Sequence, residues 1–317
     1  MQDQLKQLFG DRFKQDEPMA KYTNFRIGGP AKYFVEVKTV EELKQVIQLA
    51  NEYQTRYFVF GGGSNMFVAD SGFDGIAIKM AMRGTVIDGN RMKAEAGVLS
   101  AGLARATAKA GLAGFTWAIS LPGTIGGAVR GNAGCFGGEI KDNLVEAELL
   151  RDGEVVTVPV SELQLGYRES ALKHSNDILL LATFEFQLGD PEILLAELDT
   201  KLASRKASQP LDAGSAGCTF KNYEISSDED LQRIALKLDL PVEVGAARRI
   251  PAGWLIDKAE LKGFQIGDAQ VSERHGNFIV NKGHATADQV NQVISVIKTR
   301  LRDQYGIQLT EEVQYID

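Results

Sequence analysis

The sequence predicts an α+β protein of two or three domains. Three observations carry that expectation. Strand-like alternation and helix-like periodicity are interleaved without a regular βαβ rhythm. Two glycine clusters, GGGSN at 61–65 and LPGTIGGAVRGNAGCFGG at 121–138, sit outside any standard dinucleotide fingerprint. The stretch QPLDAGSAG at 209–217 interrupts the regular elements and reads as a domain boundary.

Taken in order, residues 31–37 alternate and read as a strand. Thr39 with Glu42 forms a capping box for a helix through about residue 52, with Leu43, Val46, Ile47 and Ala50 on one face. The apolar run 57–60 is a strand leading into the first glycine cluster. Gly89-Asn90 and Asp152-Gly153 lie between alternating runs and predict hairpin turns. Ser100 is expected to cap a helix that runs to about residue 109 and stops at Gly111. Residues 178–187 form a strand, and Asp190-Pro191 opens a helix to about residue 206. Beyond the boundary come helices near 228–238 and 254–259 and a strand at 277–280. A long helix follows at 286–304, ending at Gly306, and then a terminal strand at 308–316.

Composition narrows the function. The chain has 317 residues and a net charge of −7, which disfavours a nucleic-acid surface. No apolar run approaches membrane-spanning length, and the charged start MQDQLKQLFGDRFKQDE lacks the apolar core of a signal peptide. The two cysteines are far apart, and the three histidines show no metal-ligand spacing. A reduced, cytoplasmic, metal-free protein is expected, acting as a monomer without nucleic-acid or membrane partners.

The glycine clusters point to a ligand. Glycine lets backbone approach a ligand closely and lets N–H groups converge on anionic oxygens. Pro122 stiffens the entry to the second cluster, and Asn132 can bond its own turn or a ligand. Two such loops in one chain suggest a dinucleotide with an extended diphosphate. A Rossmann site would need a helix after the glycines and an acid about 20 residues on. Here a strand-like segment follows Gly63, and Met80, Ala81 and Met82 stand where the acid would be. Neither cluster continues into the Gly-Lys-Ser/Thr of a phosphate-binding P-loop.

Several motifs occur together in one order: Thr23 to Ala31 (TNFRIGGPA), GGGSN at 61–65, LPGTIGGAVRGNAG at 121–134 and GYRES at 166–170, then GSAGCTFKN at 214–222, PAGWLID at 251–257, LKG at 261–263 and LTEEV at 309–313. This series resembles the MurB family of UDP-N-acetylenolpyruvoylglucosamine reductases, over nearly the whole chain from about Tyr22. The resemblance implies an FAD-binding fold of the vanillyl-alcohol-oxidase (PCMH) type with a C-terminal α+β substrate domain. Residues 1–75 and 76–206 would be the two FAD subdomains and 207–305 the substrate domain, closing over the flavin. Residues 306–317 would form a strand returning to the active site. It also implies the reaction: non-covalent FAD is reduced by NADPH and then reduces the enolpyruvyl ether of a UDP-sugar to UDP-N-acetylmuramate.

The resemblance further assigns roles. Gly61, Gly62, Gly63, Ser64, Asn65, Pro122, Gly123, Ile125, Gly126, Gly127 and Asn132 would hold the cofactor. Arg168 would pair with the substrate carboxylate, as a guanidinium can do bidentately. Cys218 stands at the proton-donor position, often serine in the family. A thiol, with a reference pKa near ~8.5, is mostly protonated at neutral pH yet far more acidic than an alcohol. Glu312 would polarise the intermediate, and strand alternation sets Glu311 on the other face. Tyr167, Lys206 and Asn222 would meet the substrate, while His275 reads equally as a substrate contact and as a structural side chain. Cys135 reads as packing, and Arg248-Arg249 as a basic loop face. The chain departs from the family pattern at Gly267-Asp268-Ala269 and Asn222-Tyr223. Rival readings are an oxidase of the same FAD fold and a flavin- or nucleotide-binding protein without catalysis.

Overall fold

The structure, a computed structural model, describes all residues from Met1 to Asp317. It divides into two compact units, each discontinuous in sequence. The first comprises Met1–Glu17, Pro30–Gly63 and Phe73–Ala207, and the second Pro18–Gly29, Ser64–Gly72 and Ser208–Asp317. Segments 18–29 and 64–72 therefore belong with the C-terminal residues, whereas the sequence reading placed them in the first subdomain.

The first unit contains two larger sheets and two short two-stranded ones. Its four-stranded sheet has the order Phe13–Pro18, Pro30–Val37, Phe73–Met80, Tyr57–Phe60. The last three are mutually parallel, with Ile76 opposite both Tyr33 and Tyr57. Strand Pro30–Val37, helix Val40–Glu52 and strand Tyr57–Phe60 thus form a split βαβ unit with Phe73–Met80 inserted at its centre. The sequence reading had found no βαβ rhythm, because the strand that completes it arrives after the first glycine cluster. The Thr39 half of the expected capping box is present, its hydroxyl accepting from the Glu42 N–H at 3.1 Å, while the Glu42 carboxylate accepts from the Lys38 N–H and Arg12. The helix buries Leu43, Val46, Leu49 and Ala50, each large side chain contributing roughly 1.5–3 kcal/mol of hydrophobic stabilisation.

The second sheet of this unit is antiparallel, in the order Glu154–Pro159, Leu144–Arg151, Ile178–Glu185, Arg91–Glu95, Thr85–Asp88. Both predicted hairpins are present. Asp152 and Gly153 have φ of 50° and 84°, the left-handed pair of a type I′ turn. Phe115, Trp117, Phe184 and Phe186 pack together in the core. Helix Ser100–Lys109 starts differently from expectation. Leu99 is the N-cap, and Ser100 is the first helical residue, its N–H donating to Gly123 O at 3.1 Å. A backbone carbonyl of the second glycine cluster thus satisfies the first helical N–H in place of the expected side-chain cap.

The second unit has its own core, in which Phe25, Ile27 and Phe67 join Leu255, Ile279, Val293, Ile297 and Leu301. A three-stranded antiparallel sheet, Gln265–Ile266, Ala269–Val271 and Ile279–Asn281, packs with helix Ala287–Tyr305. That helix has the reciprocal capping box of Thr286 and Gln289 and ends on left-handed Gly306. Asp70 adds a second cap, accepting from the N–H groups of Ala287 at 2.8 Å and Asp288 at 3.0 Å. Regular strand at the C-terminus is limited to Gln314–Ile316, which pairs in parallel with Met66–Val68. The expected start at 308 is lost because 309–313 follow the 218–221 segment instead, with Glu312 N–H donating to Thr219 O at 2.8 Å. The TNFRIGGPA motif is a tight loop of this unit. A Cβ on Gly29 would collide with the Asp70 carbonyl oxygen, and Thr23 Oγ1 donates to Ile27 O at 2.9 Å.

At the departures from the family pattern, Asp268 accepts from the His284 N–H at 2.8 Å. The Tyr223 hydroxyl donates to Asp230 at 3.0 Å. Burial and the Asp230 carboxylate together push the Tyr223 phenol up. No helix is long and apolar enough to cross a membrane.

Candidate active site

In the first unit the two glycine clusters face each other. A Cβ on Gly61 would land on the Thr124 hydroxyl, and one on Gly62 would lie 2.7 Å from Gly123 Cα. Gly123 has φ of 96°, open to glycine but strained for other residues. The Thr124 Oγ1 atom is buried and makes no hydrogen bond within the protein, as is Trp117 Nε1, which borders Gly138. Such orphaned buried groups are uncommon in proteins. Together with backbone stripped of side chains they suit a polar, extended ligand such as the diphosphate and ring system of FAD. Ile125, Gly126 and Gly127 open the short helix Ile125–Arg130. The N–H groups of Ile125 and Gly126 are engaged with Val98 O and Ala96 O, while a Cβ on Gly127 would meet nothing within 4 Å. Thr124 and Trp117 escaped the sequence reading. Their signal is contextual, since a hydroxyl or indole becomes informative only when glycine stands opposite it.

Arg168 occupies the tip of a tight turn. Gly166 and Glu169 exchange backbone hydrogen bonds of 3.0 and 3.2 Å, and Arg168 between them has φ of 53°. A non-glycine residue held in the left-handed region costs on the order of 1–2 kcal/mol, a strain typical of functional positions. Its guanidinium donates to Gly134 O at 2.6 Å and lies 5.2 Å from the Tyr167 ring. Glu169 pairs with His174 at 3.0 Å. Asn132, expected to meet the cofactor, is fully buried and directs its amide to protein partners, Glu139, Gly166 and Lys141. Cys135 donates to Trp117 O at 3.4 Å, and burial pushes its thiol above the ordinary range. Lys206 is exposed near the end of helix Pro191–Ser208.

In the second unit Cys218 and Glu312 lie on neighbouring segments. Cys218 is half-buried and in no disulfide, follows Gly217 at φ 81°, and forms a backbone β-bridge with Phe278. Its successor Thr219 donates to Asn277 O at 2.8 Å and accepts from the Glu312 N–H at 2.8 Å. The Asn277 side chain ties both backbone groups of Phe220. The two residues that follow the thiol are thus held by neighbouring segments. The neighbouring Glu311 pairs with Lys298 at 2.7 Å. The Asn65 amide donates to Glu312 O at 3.0 Å. Asn222 accepts from the Ala252 N–H at 3.1 Å, at the start of helix Ala252–Lys258. His275 accepts from the Asn277 N–H at 3.2 Å and packs edge-on to Phe278.

Comparison with known proteins adds to this geometry. Residues 209–316 match the model of the UDP-N-acetylenolpyruvoylglucosamine reductase C-terminal domain, and residues 31–159 that of an FAD-binding domain. The chain is 35% identical to UDP-N-acetylenolpyruvoylglucosamine reductase of Clostridium botulinum (strain Eklund 17B / Type B), covering 98% of this chain and 96% of that one. It is 39% identical to that of Alkaliphilus oremlandii, over 95% of this chain and 92% of the relative. The crystal structure of the same enzyme from Thermus caldophilus aligns with a TM-score of 0.75 at 32% identity, covering 95% and 97% of the two chains.

Proposed function

The chain belongs to the UDP-N-acetylenolpyruvoylglucosamine reductase family, and from that premise we propose that it reduces UDP-N-acetylglucosamine enolpyruvate to UDP-N-acetylmuramate at the expense of NADPH. The observation that carries this reading is relatedness over almost the full length, spanning both the glycine clusters and the Arg168, Cys218 and Glu312 segments. When bound, FAD supplies the hydride that NADPH delivers and the terminal enolpyruvyl carbon receives. Gly61–Gly63 and 123–127, with the unpartnered Thr124 hydroxyl, are the groups that would hold it. Burial raises the pKa of the Cys135 thiol, which disfavours the thiolate there and supports non-covalent binding.

The protein's own part is positioning and proton transfer. Arg168 pairs with the substrate carboxylate and stabilises negative charge beside it. Hydride arriving at the terminal carbon leaves an electron pair on the neighbouring carbon. The Cys218 thiol gives its proton to that carbon and becomes a thiolate, which solvent re-protonates. Glu312 lies one backbone hydrogen bond from the residue after Cys218 and polarises the reacting group. Tyr167, Lys206, Asn222 and His275 remain candidates for substrate contact.

The test is spectroscopic. Purified protein should show flavin absorbance that NADPH bleaches without oxygen. Adding the enolpyruvyl UDP-sugar should restore it. A colourless protein, or bleached flavin indifferent to that substrate, sinks the proposal. Rapid re-oxidation by oxygen alone would favour an oxidase.

A further inference from the structure

Residues 130–141 hold the Arg168 turn at both of its ends. Asn132 is fully buried and sits at φ 37°, a backbone region that asparagine tolerates better than most residues. Its amide nitrogen donates to Gly166 O at 2.7 Å and to Glu139 Oε2 at 2.9 Å, and its oxygen accepts from the Lys141 N–H at 3.0 Å. The reverse amide orientation would set oxygen against two acceptors and NH2 against a donor, so this network admits one arrangement. At the other end of the turn Ser170, 1% exposed, donates from Oγ to Arg130 O at 2.6 Å. Gly166 and Ser170 are the residues flanking the strained tip that carries Arg168. The tip itself accepts from Lys173 Nζ through Arg168 O at 2.6 Å.

We propose that Asn132 and Ser170 are positioning residues for Arg168, clamping its turn at both ends to the glycine-rich segment 130–139. The strained φ of Arg168 persists only while the surroundings over-determine it. A turn released from either anchor would let the guanidinium drift, and a displacement of about 1 Å can cost roughly 10²-fold in rate. The inference rests on the role given to Arg168 above.

The test uses Asn132→Gly, which removes the amide but keeps the left-handed backbone, and Ser170→Ala, each alone and combined with Arg168→Ala in the full-length flavoprotein. Rapid mixing separates flavin reduction by NADPH from re-oxidation by the enolpyruvyl UDP-sugar. Each single variant should retain flavin and be reduced by NADPH at close to the wild-type rate. Re-oxidation should slow by on the order of 10- to 100-fold. In the Arg168→Ala background the same changes should add little, because the group they position is gone. Equal losses in both backgrounds, unchanged re-oxidation, or loss of flavin or fold in both single variants would overturn the proposal. Wild-type protein that failed to re-oxidise with this substrate would instead sink the functional reading beneath it.

Discussion

Cys218 and the paired glycines give the sharpest tests at the scale of single residues. A thiol that only protonates carbon has no part in flavin reduction. Cys218→Ala should therefore bleach with NADPH at a near-normal rate and re-oxidise roughly 10²–10⁴-fold more slowly with the enolpyruvyl substrate. Cys218→Ser should keep appreciable turnover, since a hydroxyl in the same place can also donate a proton. Normal re-oxidation of Cys218→Ala in stopped-flow would remove this residue from the mechanism. The glycines separate packing from ligand contact. Gly62→Ala places a methyl 2.7 Å from the Gly123 backbone and should destabilise the apoprotein and lose flavin together. Gly127→Ala meets nothing in the protein, and in a helix the change is worth up to about 1 kcal/mol of stabilisation. Its melting temperature should hold or rise while flavin affinity falls. Undiminished affinity would show that the cofactor does not occupy the space at Gly127.

At the scale of elements, two ion and cap arrangements set local stability. The Arg12 guanidinium grips Glu42 with contacts of 2.6 and 2.7 Å, and Glu42 also accepts from the Lys38 N–H at 2.7 Å. The Arg12 bond, followed by the backbone N–H groups, holds the Glu42 carboxyl below the usual carboxylate range against the opposing effect of burial. A depressed folded value means the contribution is complete above the unfolded value, near ~4.3, and fades as pH falls through the folded one. Glu42→Gln should cost about 1 kcal/mol at neutral pH. The gap in melting temperature between variant and wild type should narrow in acid below that value; a gap independent of pH would exclude the ionic contribution. For helix Ala287–Tyr305, Asp70→Ala removes an acceptor shared by two N-terminal N–H groups and should cost roughly 0.5–2 kcal/mol. Urea titration of the variant would measure it, and no shift in midpoint would mean the Thr286 capping box suffices.

At the scale of the whole molecule, the second unit is assembled from three separate stretches of chain. Its core needs Phe25 and Ile27 from one stretch and Phe67 from another. Strand Gln314–Ile316 has its pairing partner at Met66–Val68. A fragment of residues 208–317 should therefore lack dispersed amide signals in a nitrogen–proton NMR spectrum. A cooperatively folded fragment would show that these stretches are dispensable.

Signals that act over a few residues were legible in the sequence alone. They include the Thr39 cap, the Asp152-Gly153 turn, the Gly306 stop, the glycine clusters and, through family resemblance, the candidate chemistry. Each depends on the local backbone or on a motif that can be read without knowing its neighbours. Tertiary structure decided the rest. It inserted Phe73–Met80 between two strands of a βαβ unit, replaced the expected Ser100 cap with backbone from the second glycine cluster, and drew 18–29 and 64–72 into the unit of the C-terminal chain. It also set Thr124 opposite Gly61 and turned the Asn132 amide toward Gly166. Those outcomes rest on partners 19 to 248 residues apart in the chain, and a long-range pairing is chosen by competition among all surfaces the folded chain can bury, which no short window of sequence contains.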